Sequence, residues 1–433
     1  MARTALYHTF GCKLNFAETS TIAAELERRG YDRASAGTEP DVIVINSCSV
    51  TAEADRKCRS FIRSLNKRYP QAAIAVTGCY AQLKPAEVAA LPGVAVVAGA
   101  DRKMDLPDMI DSYMALHAPL CNVGERRDIT EFRPSCSRGD RTRYFLKVQD
   151  GCDYWCTYCT IPQARGRSRS GTIPQLVDMA RRAADEGGRE IVITGVNIGD
   201  FGKGRDDSFI DLIRALDTVE GIARYRISSI EPNLLTDEII DFVAGSRAFM
   251  PHFHIPLQSG DDRVLELMRR HYDTALFASK IERIRSVIPH AFIGVDLIVG
   301  ARGETPERFE SSRRFVESLD ISRLHVFPYS ERPGTKALEL DTPVSQADKH
   351  QRAAVMGRIS DAKWETFAGR FTGTVRPVLL ERPQGAGGIM TGHTDNYLRV
   401  LLPDAAQQAD NTIVNVRIDG PAAEPETLNG TII

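Results

Sequence analysis

The first 126 residues alternate short apolar runs with segments of helical periodicity. Residues 42–45 form a β-branched run between polar residues, which is typical of a buried strand in a parallel sheet. Ile22, Ala23 and Leu26 fall on one face of a helix that the pattern predicts over 18–29. The other elements predicted in this zone are strands over 4–10, 72–76 and 94–97 and a basic helix over 54–68. The alternation predicts an α/β domain with a parallel sheet over residues 1–126.

The middle of the chain repeats a strand and a helical segment six times. The predicted strands cover 144–149, 190–194, 225–230, 252–257, 292–299 and 324–329. The predicted helices cover 174–186, 209–219, 237–243, 262–270 with 274–287, and 306–319. No seventh or eighth unit is evident, so the pattern predicts an incomplete TIM-like barrel of six βα units. Together with a polar linker helix that begins near residue 345, this domain is predicted to span 138–368.

After the linker helix, which is predicted over 345–371, the pattern changes to short strands separated by turn residues. Strands are predicted over 375–381, 397–402 and 413–418, with a glycine loop at 385–388. Short strands with frequent turn signals favour a small β-barrel, here over 369–433.

The charge balance excludes nucleic-acid binding through a global positive field. The 433 residues include 55 lysines and arginines and 57 aspartates and glutamates, which gives a net charge of −2. Any nucleic acid must therefore be bound by local patches. The longest apolar stretch, 88–100, contains Pro92-Gly93 and is shorter than the about 20 residues that a membrane helix needs. With no apolar signal segment at the N-terminus either, we expect a cytoplasmic protein with no membrane partner.

Nine cysteines in a chain of this size point to metal or redox chemistry. An odd number in an expected cytoplasmic protein argues against a disulfide framework. Cys58, Cys121 and Cys136 stand in no interpretable spacing, and we interpret them as small buried apolar residues. The other six fall into two groups of three.

The first group is Cys152-x-x-x-Cys156-x-x-Cys159, directly after the first strand of the barrel zone. Active sites of βα barrels gather at the carboxyl ends of the strands. Thiolates are soft ligands that favour iron–sulfur clusters or zinc, and three of them leave a fourth position open for a small molecule. The alternatives are a zinc site completed by a remote residue and three inert thiols.

The second group is Cys12, Cys48 and Cys79, each of which follows a predicted strand within a few residues. Parallel strands share one carboxyl edge, so three loops there can bring three distant sulfurs together. Gly11 and Gly78 allow the backbone to turn sharply beside a bulky ligand. The residues alone leave two possibilities, a second three-cysteine cluster or three unrelated buried cysteines.

The motif Cys152-Asp-Tyr-Trp-Cys156-Thr-Tyr158-Cys159 resembles that of the radical S-adenosylmethionine (SAM) superfamily. The resemblance implies that these cysteines bind a 4Fe-4S cluster whose open iron is chelated by SAM. Tyr158 stands at the aromatic position that this superfamily places near the adenine of SAM.

Longer stretches resemble the methylthiotransferase family over essentially the whole chain. The N-terminal matches are 9–15, 46–51 and 77–79, the radical motifs are 143–152 and 165–170, and residues 391–400 resemble a TRAM domain, an RNA-binding barrel. The resemblance implies a second 4Fe-4S cluster on Cys12, Cys48 and Cys79. One departure is 300–305, Gly-Ala-Arg-Gly-Glu-Thr, where the family usually has Phe-Pro between the glycines.

The segment from Gly11 to Thr19 favours one substrate type within that family. Gly-Cys-Lys-Leu-Asn followed by Glu-Thr looks most like the type acting on N6-threonylcarbamoyladenosine, at position 37 of tRNA, 3′ of the anticodon. Isopentenyladenosine-type enzymes tend to have Gln-Met-Asn there, and the type acting on an aspartate of a small-subunit ribosomal protein tends to have Pro-Lys-Asn. The family chemistry implies a radical route to the unactivated C2 of adenine, an electron donor such as flavodoxin or ferredoxin, and a sulfur donor. No side chain stands out as an obligatory general base.

Polar residues after the barrel strands are candidates for the SAM pocket. They are Gly195 and Asn197 after strand two, Glu231 after strand three, Gln258 and Ser259 after strand four, and Gly300 after strand five. Glu231 could bind ribose hydroxyls, and Gln258 the adenine or the amino-acid end. Capping or turn roles are the alternative for each.

Two segments are candidates for binding RNA. Arg165, Arg167 and Arg169 would share one face of an extended segment and suit phosphate, or they would form a solvated loop. Tyr397 and Arg399 could offer stacking and a phosphate contact, or they could serve strand packing. Arg138, Arg141 and Arg143 could add to a basic patch at the domain junction.

Two rival functions follow from the same residues. One is the same chemistry on a ribosomal protein, with a tail that contacts protein. The other is a non-catalytic, zinc-dependent RNA-binding protein, which the grouping of the cysteines in threes disfavours because structural zinc usually takes four ligands.

Overall fold

The N-terminal region is a six-stranded, fully parallel sheet with the order β2-β1-β3-β4-β5-β6. The computed structural model describes residues 3–35, 37–137, 142–381, 383, 388–405 and 408–433. The strands are β1 Arg3–Thr9, β2 Tyr31–Arg33, β3 Val42–Ser47, β4 Ala73–Gly78, β5 Val94–Ala98 and β6 Leu120–Asn122. The helices are α1 Lys13–Arg28, α2 Ala52–Arg68, α3 Cys79–Leu83, α4 Pro85–Ala89 and α5 Leu106–Leu116.

The β-branched run of β3 lies at the centre of this sheet, as predicted. Val42 and Val44 pack into one apolar cluster, and Ile43 and Ile45 pack into another on the opposite face. Both faces of a parallel sheet are covered, so β3 is apolar on both faces from Val42 to Ile45, and only its carboxyl end, Asn46 and Ser47, is polar. The edge strands β2 and β6 were not predicted, because three residues of mixed polarity carry no clear pattern.

The middle region is a six-unit βα barrel that stays open, as the pattern predicted. Its strands and their short neighbours are β7 Ser135–Cys136, β8 Arg143–Lys147, β9 Gln149–Asp150, β10 Arg169–Ser170, β11 Glu190–Thr194, β12 Arg224–Ile227, β13 His252–Gln258, β14 Phe292–Val299 and β15 Arg323–Pro328. Its helices are α6 Ile161–Arg165, α7 Ile173–Asp185, α8 Phe209–Asp217, α9 Asp237–Gly245, α10 Asp262–Leu267, α11 Thr274–Val287, α12 Pro306–Ser318 and α13 Gln346–Gly369.

Two parallel sheets make up the barrel wall. β8, β11 and β12 pair in parallel, and so do β13, β14 and β15. Two isolated bridges, Tyr225 with Phe249 and Ser229 with His254, join the sheets. Along β13, Phe253 and Ile255 enter the core under the helices. The alternate residues of the strand therefore face the inside of the barrel, which we call the lumen.

Helix α1 of the N-terminal region packs on the luminal side of the barrel strands. Phe16 meets Phe145 of β8 edge to face, with ring centroids 5.5 Å apart. Ala17, Phe145 and Val192 form one small apolar cluster with it. The first helix after Cys12 is therefore a wall of the lumen.

The C-terminal strands close a five-stranded barrel, as predicted. They are β16 Val375–Glu381, β17 Met390–Thr394, β18 Arg399–Leu402, β19 Ile413–Pro421 and β20 Thr427–Ile432, in the order β16-β17-β18-β20-β19. Arg224 and Arg226 of β12 donate hydrogen bonds to its backbone carbonyls at Pro377 and Thr394. This barrel therefore docks on the amino-terminal ends of the large barrel's strands. Strands β17 and β20 were not predicted, and 385–387 of the predicted glycine loop lie outside the described residues.

Over the described residues, no helix is both long enough and apolar enough to cross a membrane.

Candidate active site

The loop of Cys152, Cys156 and Cys159 follows β9 at the carboxyl edge of the barrel. Gly151 has φ +71°, and a Cβ there would lie 2.0 Å from the carbonyl oxygen of Arg167, so the turn requires glycine. Two of the sulfurs face backbone donors. The Tyr154 amide lies 3.5 Å from the Cys152 sulfur, and the Ile161 amide lies 3.4 Å from the Cys159 sulfur.

Burial makes these thiols hard to ionise without a cation. It raises the pKa of Cys152 and that of Cys159 to about 12, and it raises the pKa of Cys156 as well. A thiolate ligand is deprotonated when it binds metal, so the buried donor set fits a cationic iron cluster. Arg270 adds a positive charge, since its Nη1 lies 3.1 Å from the Cys156 sulfur.

Cys12, Cys48 and Cys79 come together at the carboxyl edge of the N-terminal sheet. Cys12 precedes α1, Cys48 follows β3 and Cys79 begins α3. A Cβ on Gly11 would lie 2.9 Å from the Cys48 sulfur, so the first two loops touch. The pKa of Cys48 is raised to about 12 by burial first, and then by its neighbours Cys79 and Cys12.

Cys12 is exposed, whereas Cys48 and Cys79 are buried. Within the described ranges, no three His, Cys, Asp or Glu side chains converge on the position of one metal ion. A cubane cluster binds each thiolate through a different iron, which is the arrangement that both groups of cysteines were predicted to serve.

The two cysteine loops are in direct contact. The Thr160 hydroxyl, next to Cys159, donates to the Ser49 carbonyl, next to Cys48, at 3.4 Å. Arg332, beyond β15, donates to the Ser49 hydroxyl at 2.7 Å and to Asp55 of α2 at 2.8 Å. The loops that carry the two groups of cysteines therefore adjoin each other.

A buried ion network fills the space between the N-terminal domain and the barrel. Lys147 pairs with Glu18 at 2.8 Å and with Asp150 at 2.7 Å, and Arg165 pairs with Asp150 at 2.9 Å. Lys103 also pairs with Glu18. Burial alone would raise the pKa of Glu18, but Arg165, Lys103 and Lys147 hold it well below its ordinary value.

The expectation of three arginines on one accessible face is wrong. Arg165 ends the short helix α6, whereas Arg169 lies in β10. Arg165 is only 2% exposed. The side chain of Arg167 is 84% exposed and pairs with Asp153, while that of Arg169 is 11% exposed and pairs with Asp150. A helix followed by a strand breaks the two-residue alternation on which the prediction rested. Only Arg167 of the three is available on the surface.

Glu231 and Arg270 form a buried ion pair beside the cysteines of the barrel. Arg270 also lies 3.4 Å from the hydroxyl of Tyr158, the residue predicted to lie near the adenine of SAM. Burial raises the pKa of Glu231, and Arg270 opposes that rise. Arg270 is not among the predicted site residues. The sequence feature that could have indicated it is the polar run 269–272, Arg-Arg-His-Tyr, in the loop between α10 and α11.

Unpaired polar atoms beside these groups fit a polar cofactor. Both amide atoms of Asn197 are buried without a hydrogen-bond partner among the described residues, as are Oδ2 of Asp200 and Oδ1 of Asn233. Asn233 donates to the Tyr154 hydroxyl at 2.8 Å, and the Tyr154 ring stacks on His271 at 4.1 Å. Buried polar groups are normally satisfied, so these atoms are suited to the hydroxyls and amino groups of a ligand.

The remaining pocket candidates have structural partners of their own. Ser259 is fully buried and accepts from the Asp261 amide at 3.3 Å, which is a turn role. The Gly300 amide donates to Glu304 at 2.8 Å. Gln258 has φ +64° at a bulge of β13, and Gly195 lies close to the Gln149 backbone.

The predicted RNA-contacting pair of the small barrel is divided between two environments. The Tyr397 hydroxyl accepts from Arg143 at 2.9 Å, and its ring packs 4.5 Å from that of His252. Tyr397 is thus a junction residue, as in the packing alternative, and not a free stacking surface. Arg399 is half-exposed and pairs with Glu424 at 2.7 Å. Arg143 belongs to the same junction, whereas Arg138 and Arg141 lie outside the described residues.

A three-cysteine loop at the carboxyl edge of an open six-unit barrel defines a radical SAM enzyme. A family model described as the radical SAM superfamily matches residues 146–316, and one described as the uncharacterized protein family UPF0004 matches residues 4–99. The fold is similar to that of TsrM, a radical SAM methyltransferase from Kitasatospora setae, with a TM-score of 0.57 at 15% identity over 78% of this chain and 74% of that one.

Full-length relatives define the family more closely. The chain is 37% identical to the threonylcarbamoyladenosine tRNA methylthiotransferase MtaB of Bacillus subtilis, over 96% of this chain and 93% of that protein. It is 36% identical to the MtaB of Thermotoga maritima, over 92% of this chain and 91% of that protein. It is 31% identical to the tRNA-2-methylthio-N(6)-dimethylallyladenosine synthase of Syntrophomonas wolfei, over 95% of this chain and 94% of that protein. The chain therefore belongs to the radical SAM methylthiotransferase family, and its cofactors are an iron–sulfur cluster and SAM.

Proposed function

We propose that this enzyme converts N6-threonylcarbamoyladenosine at position 37 of tRNA to its 2-methylthio derivative. The contact between Ser49 and Thr160 carries the proposal, because it joins the loops that bear the two groups of three cysteines. Relatives named for threonylcarbamoyladenosine support the choice of substrate, and the Gly11–Asn15 motif favours it. The relative named for dimethylallyladenosine represents the alternative.

Each group of cysteines would hold one 4Fe-4S cluster. Cys152, Cys156 and Cys159 would hold the one that binds SAM, and Cys12, Cys48 and Cys79 the auxiliary one. When bound, these groups supply the one-electron chemistry and the sulfur that an unactivated aromatic C–H requires.

The chain's own residues bind and orient the reactants. Asn197 and Asn233 present polar atoms for SAM that have no hydrogen-bond partner among the described residues, and Asp200, which lies 3.7 Å from Lys203, adds a carboxylate. Arg270 holds the carboxylate of Glu231 beside the cysteine loop and places a cation on the Cys156 sulfur. Phe16 and Ala17 of α1 pack against Phe145 of β8, which holds α1 along one side of the lumen.

The small barrel and the exposed Arg167 are the proposed contacts to the tRNA body, with Arg399 on the barrel surface. A protein of net charge −2 must use such local cations. The proposal also includes a cytoplasmic location, an electron donor such as flavodoxin or ferredoxin, and a separate sulfur donor.

The test is an anaerobic reaction of the reconstituted enzyme with SAM, a reductant and total tRNA from a strain that lacks it. Nucleosides are identified by mass spectrometry after digestion. Conversion of threonylcarbamoyladenosine to its 2-methylthio form is the expected result. Conversion of isopentenyladenosine alone would overturn the substrate. Formation of 5′-deoxyadenosine with no change in any nucleoside would favour a protein substrate.

A further inference from the structure

Lys13 places a positive charge in the lumen with no partner for it. It is the first residue of α1, directly after Cys12, and it is half-buried. Among the described residues it makes no side-chain hydrogen bond or ion pair. It stands three residues before Phe16, whose ring packs on Phe145 of β8, so both lie on the face of α1 that turns to the lumen. Burial and then His254 lower the pKa of His325 on β15 to about 4, and Lys13 is among the further causes.

The wall opposite Lys13 is polar. His254 of β13 and Asp296 of β14 share a hydrogen bond of 2.8 Å, and their side chains stay 23% and 21% exposed inside the barrel. The ring of His325 on β15 meets that of His254 edge to face at 5.3 Å. Two positions further on the same face of β15, Phe327 is 51% exposed and can stack on a base.

Such a lumen suits one of the two adenosine modifications and not the other. The threonylcarbamoyl group ends in a carboxylate, whereas the isopentenyl group is a branched hydrocarbon. Covering Lys13 with a hydrocarbon removes its water and returns no hydrogen bond, which is costly. A carboxylate placed there gains a charge-assisted hydrogen bond. Asp296 shares its Oδ1 with His254 and makes no ion pair with Lys13 among the described residues.

We propose that Lys13, facing the imidazoles of His254 and His325, forms a subsite for the carboxylate of the substrate's threonylcarbamoyl group. The inference rests on the proposed function, since it names the atoms that select that substrate. It makes Lys13 a specificity-determining residue, distinct from the cysteines beside it. A site built to hydrogen-bond one group rejects an analogue that lacks it.

The experiment measures equilibrium binding of synthetic anticodon stem-loops to the full chain, reconstituted anaerobically. Three stem-loops carry adenosine, threonylcarbamoyladenosine or isopentenyladenosine at position 37. The wild type should bind the threonylcarbamoyl stem-loop roughly tenfold tighter than the unmodified one. Lys13→Gln should reduce that ratio to near one, because it weakens binding of the threonylcarbamoyl stem-loop far more than binding of the unmodified one. Lys13→Arg should retain the preference, and Lys67→Gln on the exposed face of α2 is the matched control.

The outcomes separate the two claims. Equal weakening of all three stem-loops by Lys13→Gln would make Lys13 a phosphate contact and overturn the subsite. So would an unchanged ratio in that variant, or a wild type that does not distinguish threonylcarbamoyladenosine from adenosine. A wild type that prefers the isopentenyl stem-loop would overturn the proposed function itself.

Discussion

The two groups of cysteines reach the same lumen by different routes. The barrel group lies within residues 152–159, on one loop. The N-terminal group comes from three loops between residues 12 and 79, brought together by the parallel register of β1, β3 and β4. One geometry is fixed by a local turn and the other by a whole sheet.

Their surroundings differ as well. The barrel group adjoins polar atoms of Asn197 and Asn233 that have no hydrogen-bond partner among the described residues, and these suit a ligand that binds and dissociates. The N-terminal group adjoins a network in which four cations meet two carboxylates; its members are Lys103, Lys147, Arg165, Arg169, Glu18 and Asp150. The excess positive charge offsets the negative charge that three thiolates bring. Under the proposed function, the surroundings of the first group would admit SAM, and those of the second would hold a cluster in a fixed field of charge.

The largest effect is expected from removing one ligand of either group. Cys152→Ala should abolish 5′-deoxyadenosine formation and leave the N-terminal cluster bound. Cys12→Ala should leave 5′-deoxyadenosine formation in place and abolish methylthiolation. Iron and sulfide analysis should show loss of about half the iron in each variant. If Cys152→Ala lost both clusters, the claim that the two cluster sites are independent would be contradicted.

Breaking the ion network comes next. Arg165→Met leaves Glu18 and Asp150 with less compensation and should lower the free energy of unfolding by about 3–5 kcal/mol. Urea unfolding measures this, with Arg182→Met in the exposed pair on α7 as control. No loss of stability in Arg165→Met would show that the network does not hold the domains together.

The same variant has a pH signature. The pKa of Glu18 is held below its ordinary value of 4.5, so its contribution is present above that pH and is lost as the pH falls below it. In Arg165→Met the pKa is less depressed, and stability should fall less steeply with acid. An equally steep fall would assign the acid sensitivity to other groups.

A smaller effect should separate ligand binding from stability. Asn197→Leu removes two buried amide atoms that have no partner within the described part of the chain, so unfolding should change by less than about 1 kcal/mol. The affinity for SAM, measured by calorimetry, should fall roughly tenfold. Asn122→Leu on the exposed edge strand β6 is the control. Unchanged SAM affinity would remove Asn197 from the pocket.

The smallest effect concerns the contact between the two loops. Thr160→Val removes one long hydrogen bond to Ser49 and should cost about 0.5–1 kcal/mol, with cluster content unchanged. Thermal melting measures it. A loss of stability as large as that expected for Arg165→Met would show that this single hydrogen bond is the main connection between the two loops.

The comparison also explains what the sequence could predict. The barrel group could be predicted because its three cysteines lie close together in the sequence. The N-terminal group could be predicted because β3 and β4 contain continuous apolar runs, so the ends of these strands are easily located. Arg270 was missed because a charged residue at the end of a predicted helix looks solvated until its partner, Glu231, is in place. Arg165 was misassigned because α6 interrupts an apparently extended segment. In both cases, the partner lies far along the chain, and only the fold shows that the charge is buried.

The most direct test of the contrast between the two groups is electron paramagnetic resonance of two reduced triple variants. One lacks Cys12, Cys48 and Cys79, and the other lacks Cys152, Cys156 and Cys159. Adding SAM should change the signal of the first variant, which keeps the barrel group, and leave the signal of the second unchanged. A SAM-dependent change in the second variant, or none in the first, would contradict the division of roles between the two groups.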